Sequence, residues 1–127
     1  MTARLARIDA GDEYSWIVLD RETDDVAGTI ALWPGTDGLE LGFAFGARFW
    51  GRGLATEAGF AVIAWAKKAL DERGFWAACD IDNVRSTRVL EKLGMRYTRT
   101  DESFAIHPNL SDVPRPCRIY ALDETST

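Results

Sequence analysis

Four residues at short intervals, Arg48, Gly51, Arg52 and Gly53, form the stretch of this chain best suited to hold a phosphate. They lie in Gly46-Ala47-Arg48-Phe49-Trp50-Gly51-Arg52-Gly53-Leu54-Ala55-Thr56-Glu57, an R-x-x-G-x-G turn between a strand signal and an amphipathic helix signal. Paired glycines let the backbone curl until successive N–H groups point one way. The helix that follows contributes its unpaired first-turn N–H groups and the positive end of its dipole. The two arginines bring full charges. The chemistry expected of such a turn is a seat for a pyrophosphate.

Three kinds of phosphate loop compete for the segment. A nucleoside-triphosphate loop requires G-x-x-x-x-G-K-[ST], and the chain contains no Gly-Lys pair. A dinucleotide loop requires G-x-G-x-x-G/A, which Gly51 to Thr56 breaks at the last position, and Asp80 comes too late for the ribose role. The third is the [Q/R]-x-x-G-x-[G/A] coenzyme A loop of the GNAT acetyltransferases, which the segment closely resembles through Arg48, Gly51 and Gly53. Phe49 to Ala58 is similar to the branch that holds the Rim-type ribosomal-protein acetyltransferases. A second stretch, Asp82 to Met95, is similar to the family's N-x-x-S-x-x-V-x-E-K-L-G-[FM] helix, with Asn83 as a good N-cap and Gly94 as a left-handed helix stop. Phe104-Ala105-Ile106-His107-Pro108 resembles a loop found late in many members. The resemblance runs from about residue 16 to 122, in the family's order.

That resemblance implies a mixed α/β (α+β) GNAT acyl-CoA N-acyltransferase fold as a single domain over residues 1–127. Residues 16–99 would be its cofactor-binding core, 101–117 a long loop and 118–122 the last strand. It implies acetyl-CoA as co-substrate, no metal, and transfer of the acetyl group to a primary amine such as a peptide N-terminus, by direct attack in a ternary complex. The pantetheine arm is expected to pair with backbone of Phe43 and Phe45. The pyrophosphate is expected on backbone of Arg48, Gly51, Arg52, Gly53, Ala55 and Thr56. Glu40, in Glu40-Leu41-Gly42-Phe43, matches the family's E-x-G-[YWF] and is the candidate general base, directly or through a water. The plainer alternative is a solvent-facing strand glutamate. Leu90 stands where many members carry a tyrosine, so Ser86 is the candidate to protonate the thiolate, its alternative role being to cap the helix beside Asn83. Asn83 can both cap and hydrogen-bond cofactor or acceptor. His107 reads as an acceptor-side or loop-ordering residue, or as an ordinary surface histidine. Trp50 reads as core more readily than as a ligand contact.

One departure is large. The family normally opens with a strand and two helices that help wall the acceptor pocket, whereas only residues 1–13 stand in that place. The fold is therefore expected to lack most of its first strand and first helices. A non-catalytic acyl-CoA-binding module, or a remnant of such an enzyme, is the alternative this raises. Uncovered sheet edge and apolar surface also make a homodimer a possible assembly.

Composition supports one globular domain: 127 residues, 46% hydrophobic and 28% charged. No apolar run reaches membrane-spanning length and the N-terminus lacks a secretion-signal layout, so a cytoplasmic location is expected. Cys79, Cys117 and a single histidine do not make a metal cluster; two reduced thiols near the sheet are expected. Charge is segregated. Residues 1–47 hold three Arg against nine acids, 48–99 hold ten basic against six acidic residues, and 100–127 hold two Arg against five acids. A basic middle suits a polyanionic cofactor, while acidic flanks repel nucleic acid and attract a cationic amine.

The elements that must position these groups follow from periodicity. Leu5 and Ile8 read as the end of a helix. Trp16 to Leu19 and Val26 to Leu32 read as a hairpin, with a turn-rich link to a strand over Leu39 to Phe45. In that strand Leu39, Leu41, Phe43 and Phe45 share one face, and Glu40, Gly42 and Ala44 the other. A helix is predicted over about Thr56–Arg73, with Ala58, Ala61, Val62, Trp65, Ala69 and Leu70 inward. A strand over Phe75–Ile81, the Asn83 helix, a short strand at Tyr97–Arg99 and a last strand from Arg118 to Leu122 complete the order.

Overall fold

Seven strands, β1 (Ala3–Ala10), β2 (Glu13–Asp20), β3 (Val26–Gly35), β4 (Gly38–Phe45), β5 (Phe75–Asp80), β6 (Arg96–Phe104) and β7 (Arg115–Leu122), make one sheet in the order β1-β2-β3-β4-β5-β7-β6. The computed structural model describes residues 2–10, 13–35, 38–104 and 115–122. Every neighbouring pair is antiparallel except β4 and β5.

Strand alternation sorts the side chains into two faces. Trp16, Val18, Ile30, Leu32, Leu39, Leu41, Phe75 and Ala77 share one buried cluster with residues of α1 (Leu54–Ala69) and α2 (Val84–Lys92). Burying side chains of this size contributes about 1.5–3 kcal/mol each. α1 crosses β1 and β3, α2 lies on β5, and the helices touch one another. They approach closely because Gly59 has no side chain: a Cβ there would come within 2.7 Å of Leu93 Cδ1. Among the described residues no helix lies on the opposite face, where Ser15, Ile17, Thr29, Ala31, Glu40, Gly42, Ala44 and Trp76 point.

The helix ends differ in how well they could be read. α2 stops as its sequence predicts: Gly94 has φ 89, and Met95 N–H folds back to the Leu90 carbonyl at 3.0 Å. α1 instead begins two residues earlier than expected, directly after Gly53, and ends at Ala69 rather than Arg73. Asp71, at φ 52, turns the chain out of the helix before Gly74 is reached. The buried stripe is Leu54, Ala58, Gly59, Val62, Ile63 and Ala66, while Ala69 and Leu70 are exposed.

Residues 3–10 are an eight-residue edge strand, not the end of a helix. Only residues 11–12 join β1 to β2, so the helix pair expected to be missing has no room between them. At the other end β6 runs to Phe104 and β7 starts at Arg115, which shortens the expected 101–117 loop from both sides.

Candidate functional site

The parallel seam between β4 and β5 holds for just two residue pairs, Leu39↔Phe75 and Glu40↔Trp76. Beyond it β4 stays with β3 as far as Phe45, and β5 stays with β7 as far as Asp80. The two strands therefore splay apart, and each keeps one unpaired edge. Which backbone groups face the gap follows from alternation. Leu39 donates its N–H toward β5, to the Gly74 carbonyl at 3.0 Å, and Gly46 donates toward β3, to the Ala27 carbonyl at 2.9 Å. The Glu40↔Trp76 pair takes up the Leu41 N–H, so the Leu41 C=O and the backbone groups of Phe43 and Phe45 turn into the gap. An extended chain of a ligand can be added there as a strand would be.

Above the open end of β4 the chain makes a 3₁₀ turn over Ala47–Phe49 and enters α1 through Gly51 and Gly53, at φ 79 and φ 77. Gly53 is the N-cap of α1, without a side-chain cap. The N–H groups of Gly51, Arg52, Gly53, Leu54, Ala55 and Thr56 have no acceptor among the described residues; the first satisfied one is Glu57, bonded to Gly53 at 3.0 Å. Open space surrounds both glycine Cα atoms. Six consecutive donors at a helix N-terminus fit the phosphates of a nucleotide-bearing cofactor.

The two loop arginines are already engaged. Phe49 is buried beneath the loop, with the Arg48 guanidinium 4.5 Å and the Arg52 guanidinium 5.8 Å from its ring centre. Arg48 pairs with Asp25 and Arg52 with Asp20, each at 2.8 Å. These contacts tie the loop to the β2–β3 turn. The Arg52 hydrogen bond, helped by the Glu22 N–H and opposed by burial, holds the Asp20 carboxyl below its ordinary value of 3.8. A carboxylate lowered on folding stabilises fully above its unfolded value, and that contribution is lost as pH falls through the folded one. Wild type is therefore expected to out-melt Asp20→Asn by a constant margin above about pH 5, with the margin closing as pH drops below about 4. Melting curves across pH 2.5–7 check this.

Glu40 sits at the vertex of the splay, in the last paired position, and is 8% exposed on the helix-free face. It is thus not the solvent-facing strand glutamate that was the plainer alternative. Gly42 and Ala44 follow it on the same face. Across the gap, Asn83 caps α2 by accepting the Ser86 N–H at 3.1 Å. The Ser86 hydroxyl makes no hydrogen bond among the described residues, so the cap uses Ser86 backbone only. Thr87, by contrast, spends its hydroxyl on the Asn83 carbonyl and approaches Cys79 Sγ at 3.5 Å. Burial pushes the Cys79 thiol up despite that contact, which leaves it a poor nucleophile. His107 lies outside the described residues.

Sequence reasoning missed one pair. Trp50 is 46% exposed rather than core, and its indole Nε1–H donates to the Phe45 carbonyl at 3.0 Å, at the outer end of the open β4 edge. Arg85, in the first turn of α2, stacks on that ring at 4.1 Å. The two residues are 35 positions apart, and nothing in their spacing announces the contact.

The family profile described as "Acetyltransferase (GNAT) domain" matches residues 1–96. The uncharacterized protein YkkB of Bacillus subtilis (strain 168) is 35% identical over 92 residues, 67% of this chain and 52% of its own. The chain thus spans about half the length of that relative. Among solved structures, the ribosomal-protein-S5-alanine acetyltransferase of Vibrio fischeri matches with a TM-score of 0.76 and 19% identity, over 89% of this chain and 62% of that one. The microcin C7 self-immunity acetyltransferase MccE, solved in complex with acetyl-CoA and AMP, matches with a TM-score of 0.75 and 19% identity, over 88% and 61%. At these identities the structures establish the fold. No helix among the described residues is long and apolar enough to cross a membrane.

Proposed function

The chain belongs to the GNAT acetyltransferase family, and from that premise we propose that it binds acetyl-CoA in the splay and passes the acetyl group to a primary amine. The observation that carries the reading is the coincidence of an unpaired β4 edge with six acceptor-free N–H groups just above it. Backbone of Phe43, and the N–H of Phe45, would hold the pantetheine arm. Backbone of Arg48, Gly51, Arg52, Gly53, Ala55 and Thr56 would hold the pyrophosphate, with Asn83 on the facing lip. That places the thioester toward the vertex, beside Glu40.

In the proposed reaction the neutral amine nitrogen attacks the thioester carbonyl in a ternary complex. The C–N bond forms, the C–S bond breaks, and the thiolate leaves. Glu40 takes the proton released by the amine, directly or through a water, and Ser86 supplies one to the thiolate; the proton on Glu40 then returns to Ser86 through solvent, which restores both groups. Both acts are general acid–base catalysis, worth about 10²–10⁴-fold where the geometry is right. A peptide N-terminus is the acceptor we favour, from the resemblance to the Rim-type branch. His107 is proposed on the acceptor side. A single domain, a cytoplasmic location and a homodimer complete the reading.

A second reading is favoured by one observation: the two-residue link between β1 and β2 leaves the acceptor side without the family's helix pair. An acyl-CoA-binding module without turnover would look the same in its cofactor half. Calorimetric titration with acetyl-CoA, followed by a thiol-release assay against peptide amines, separates the two. Saturable one-to-one binding with turnover supports the enzyme; binding without turnover on any amine supports the module; no binding refutes both. In the same titration the double variant Gly51→Ala, Gly53→Ala is expected to bind at least tenfold more weakly. A left-handed L-residue costs about 1–2 kcal/mol, so the alanine loop relaxes away from the geometry that the phosphates need.

A further inference from the structure

Building on the acetyl-CoA reading, we propose that Arg85, presented across the mouth of the splay by the Trp50 indole, is the cation that takes the cofactor's phosphate groups. The six N–H donors of the loop carry only partial charges, and the ligand brings several full negative ones. The sequence points to Arg48 and Arg52 for that duty. Both are committed: each lies 2.8 Å from a carboxylate of the β2–β3 turn. Drawing Arg52 away would leave Asp20, 3% exposed, as a buried carboxylate without its cation, a costly state.

Arg85 has no such commitment. It is exposed, and it has no acidic partner among the described residues; its contact is the face of Trp50 at 4.1 Å. Stacking on a ring occupies the flat faces of a guanidinium and leaves its in-plane N–H donors free, the fork that matches a phosphate. Cation–π attraction at an exposed site is weak, so the side chain can shift toward a phosphate at little cost. Trp50 is itself fixed, by its Nε1–H on the Phe45 carbonyl at 3.0 Å. That bond also takes the outermost acceptor of the β4 edge, so a strand-like ligand arm must end its pairing at the Phe45 N–H. There the chain turns toward the loop. One lip of the splay thus contributes N–H donors and the other contributes the charge.

The test is calorimetry on the full chain with acetyl-CoA, repeated at two salt concentrations and with a dephospho analogue lacking the 3′-phosphate. Arg85→Gln is expected to weaken binding about tenfold and to flatten its salt dependence, and Arg85→Lys to recover part of the loss. Trp50→Ala is expected to fall with Arg85→Gln, while Trp50→Phe, which keeps a ring under the guanidinium, stays within about threefold of wild type. Arg88→Gln, another exposed α2 cation, should match wild type. A ratio of acetyl-CoA to analogue affinity that collapses in Arg85→Gln assigns the contact to the 3′-phosphate, and an unchanged ratio assigns it to the pyrophosphate. Wild-type affinity in a folded Arg85→Gln, with the loss carried by Arg48→Gln instead, overturns the proposal alone. No binding by wild type overturns the acetyl-CoA reading and the proposal with it.

Discussion

Glu40→Gln is expected to lower turnover about 10²–10⁴-fold, the usual contribution of a general base, while acetyl-CoA affinity stays within about twofold. The substitution keeps the size and hydrogen-bonding shape of the side chain and removes its capacity to take a proton. Glu40 occupies the last paired position before β4 and β5 part, and Gly42 and Ala44, next on its face, leave room for an acceptor. Thiol release against a peptide amine measures the first expectation, and calorimetry the second. Unchanged turnover removes Glu40 from the mechanism. A parallel loss of affinity and thermal stability would instead make it a structural residue at the seam.

The parts of this site that were legible are those whose chemistry is written in adjacent residues. The alternation of Leu39 to Phe45 put Glu40, Gly42 and Ala44 on one face because a strand has a period of two. The loop was legible because Gly51 and Gly53 need left-handed backbone. The Asn83 cap and the Gly94 stop were legible for similarly local reasons. The splay was not, because it depends on how far two strands paired at a separation of 36 positions stay together, and no local pattern sets that distance. The first strand was missed for another reason. Its positions on the helix-bearing face include Ala3, Leu5 and Arg7, and Arg7, though exposed, lays its guanidinium 4.7 Å from the Trp65 ring and 5.3 Å from Tyr14. An arginine packed on aromatics interrupts the alternation that marks a strand, leaving Leu5 and Ile8 at helical spacing.

The acidic flank also acquires a meaning that composition alone did not supply. Asp20 and Asp25 hold the loop arginines, and Glu57, from the first turn of α1, accepts the Ala3 N–H at 2.7 Å and the Thr2 N–H at 3.1 Å. Burial pushes the Glu57 carboxyl up, and these hydrogen bonds more than offset it, so it sits below its ordinary value. The loop is therefore braced by carboxylates of β2 and its turn, while Glu57 ties the start of α1 to β1. Part of the acidity of residues 1–47 is thus spent on shaping the loop rather than on attracting an amine.

Phe75→Ala is expected to cost about 3–5 kcal/mol, the range for emptying a fully buried aromatic site. Phe75 is 2% exposed and ranks among the largest fully buried side chains of the chain. Against a total stability of about 5–15 kcal/mol, that is about a fifth or more of what holds the fold. For a domain of this size the midpoint of thermal unfolding should fall by about 10–20 °C. The position carries more than packing, because Leu39↔Phe75 is one of the two pairs that join β4 to β5. A cavity there lets the seam open one residue further and moves Glu40 off the vertex. Ile30→Ala, on β3 and 1% exposed, supplies the comparison: a cavity of similar energetic cost, about 2–5 kcal/mol, away from the seam. At a temperature where both variants are folded by circular dichroism, Phe75→Ala should lose turnover per folded molecule well beyond Ile30→Ala. Equal turnover in the two would show that the seam is only a point of packing, and that the splay holds its shape through β3 and β7 alone.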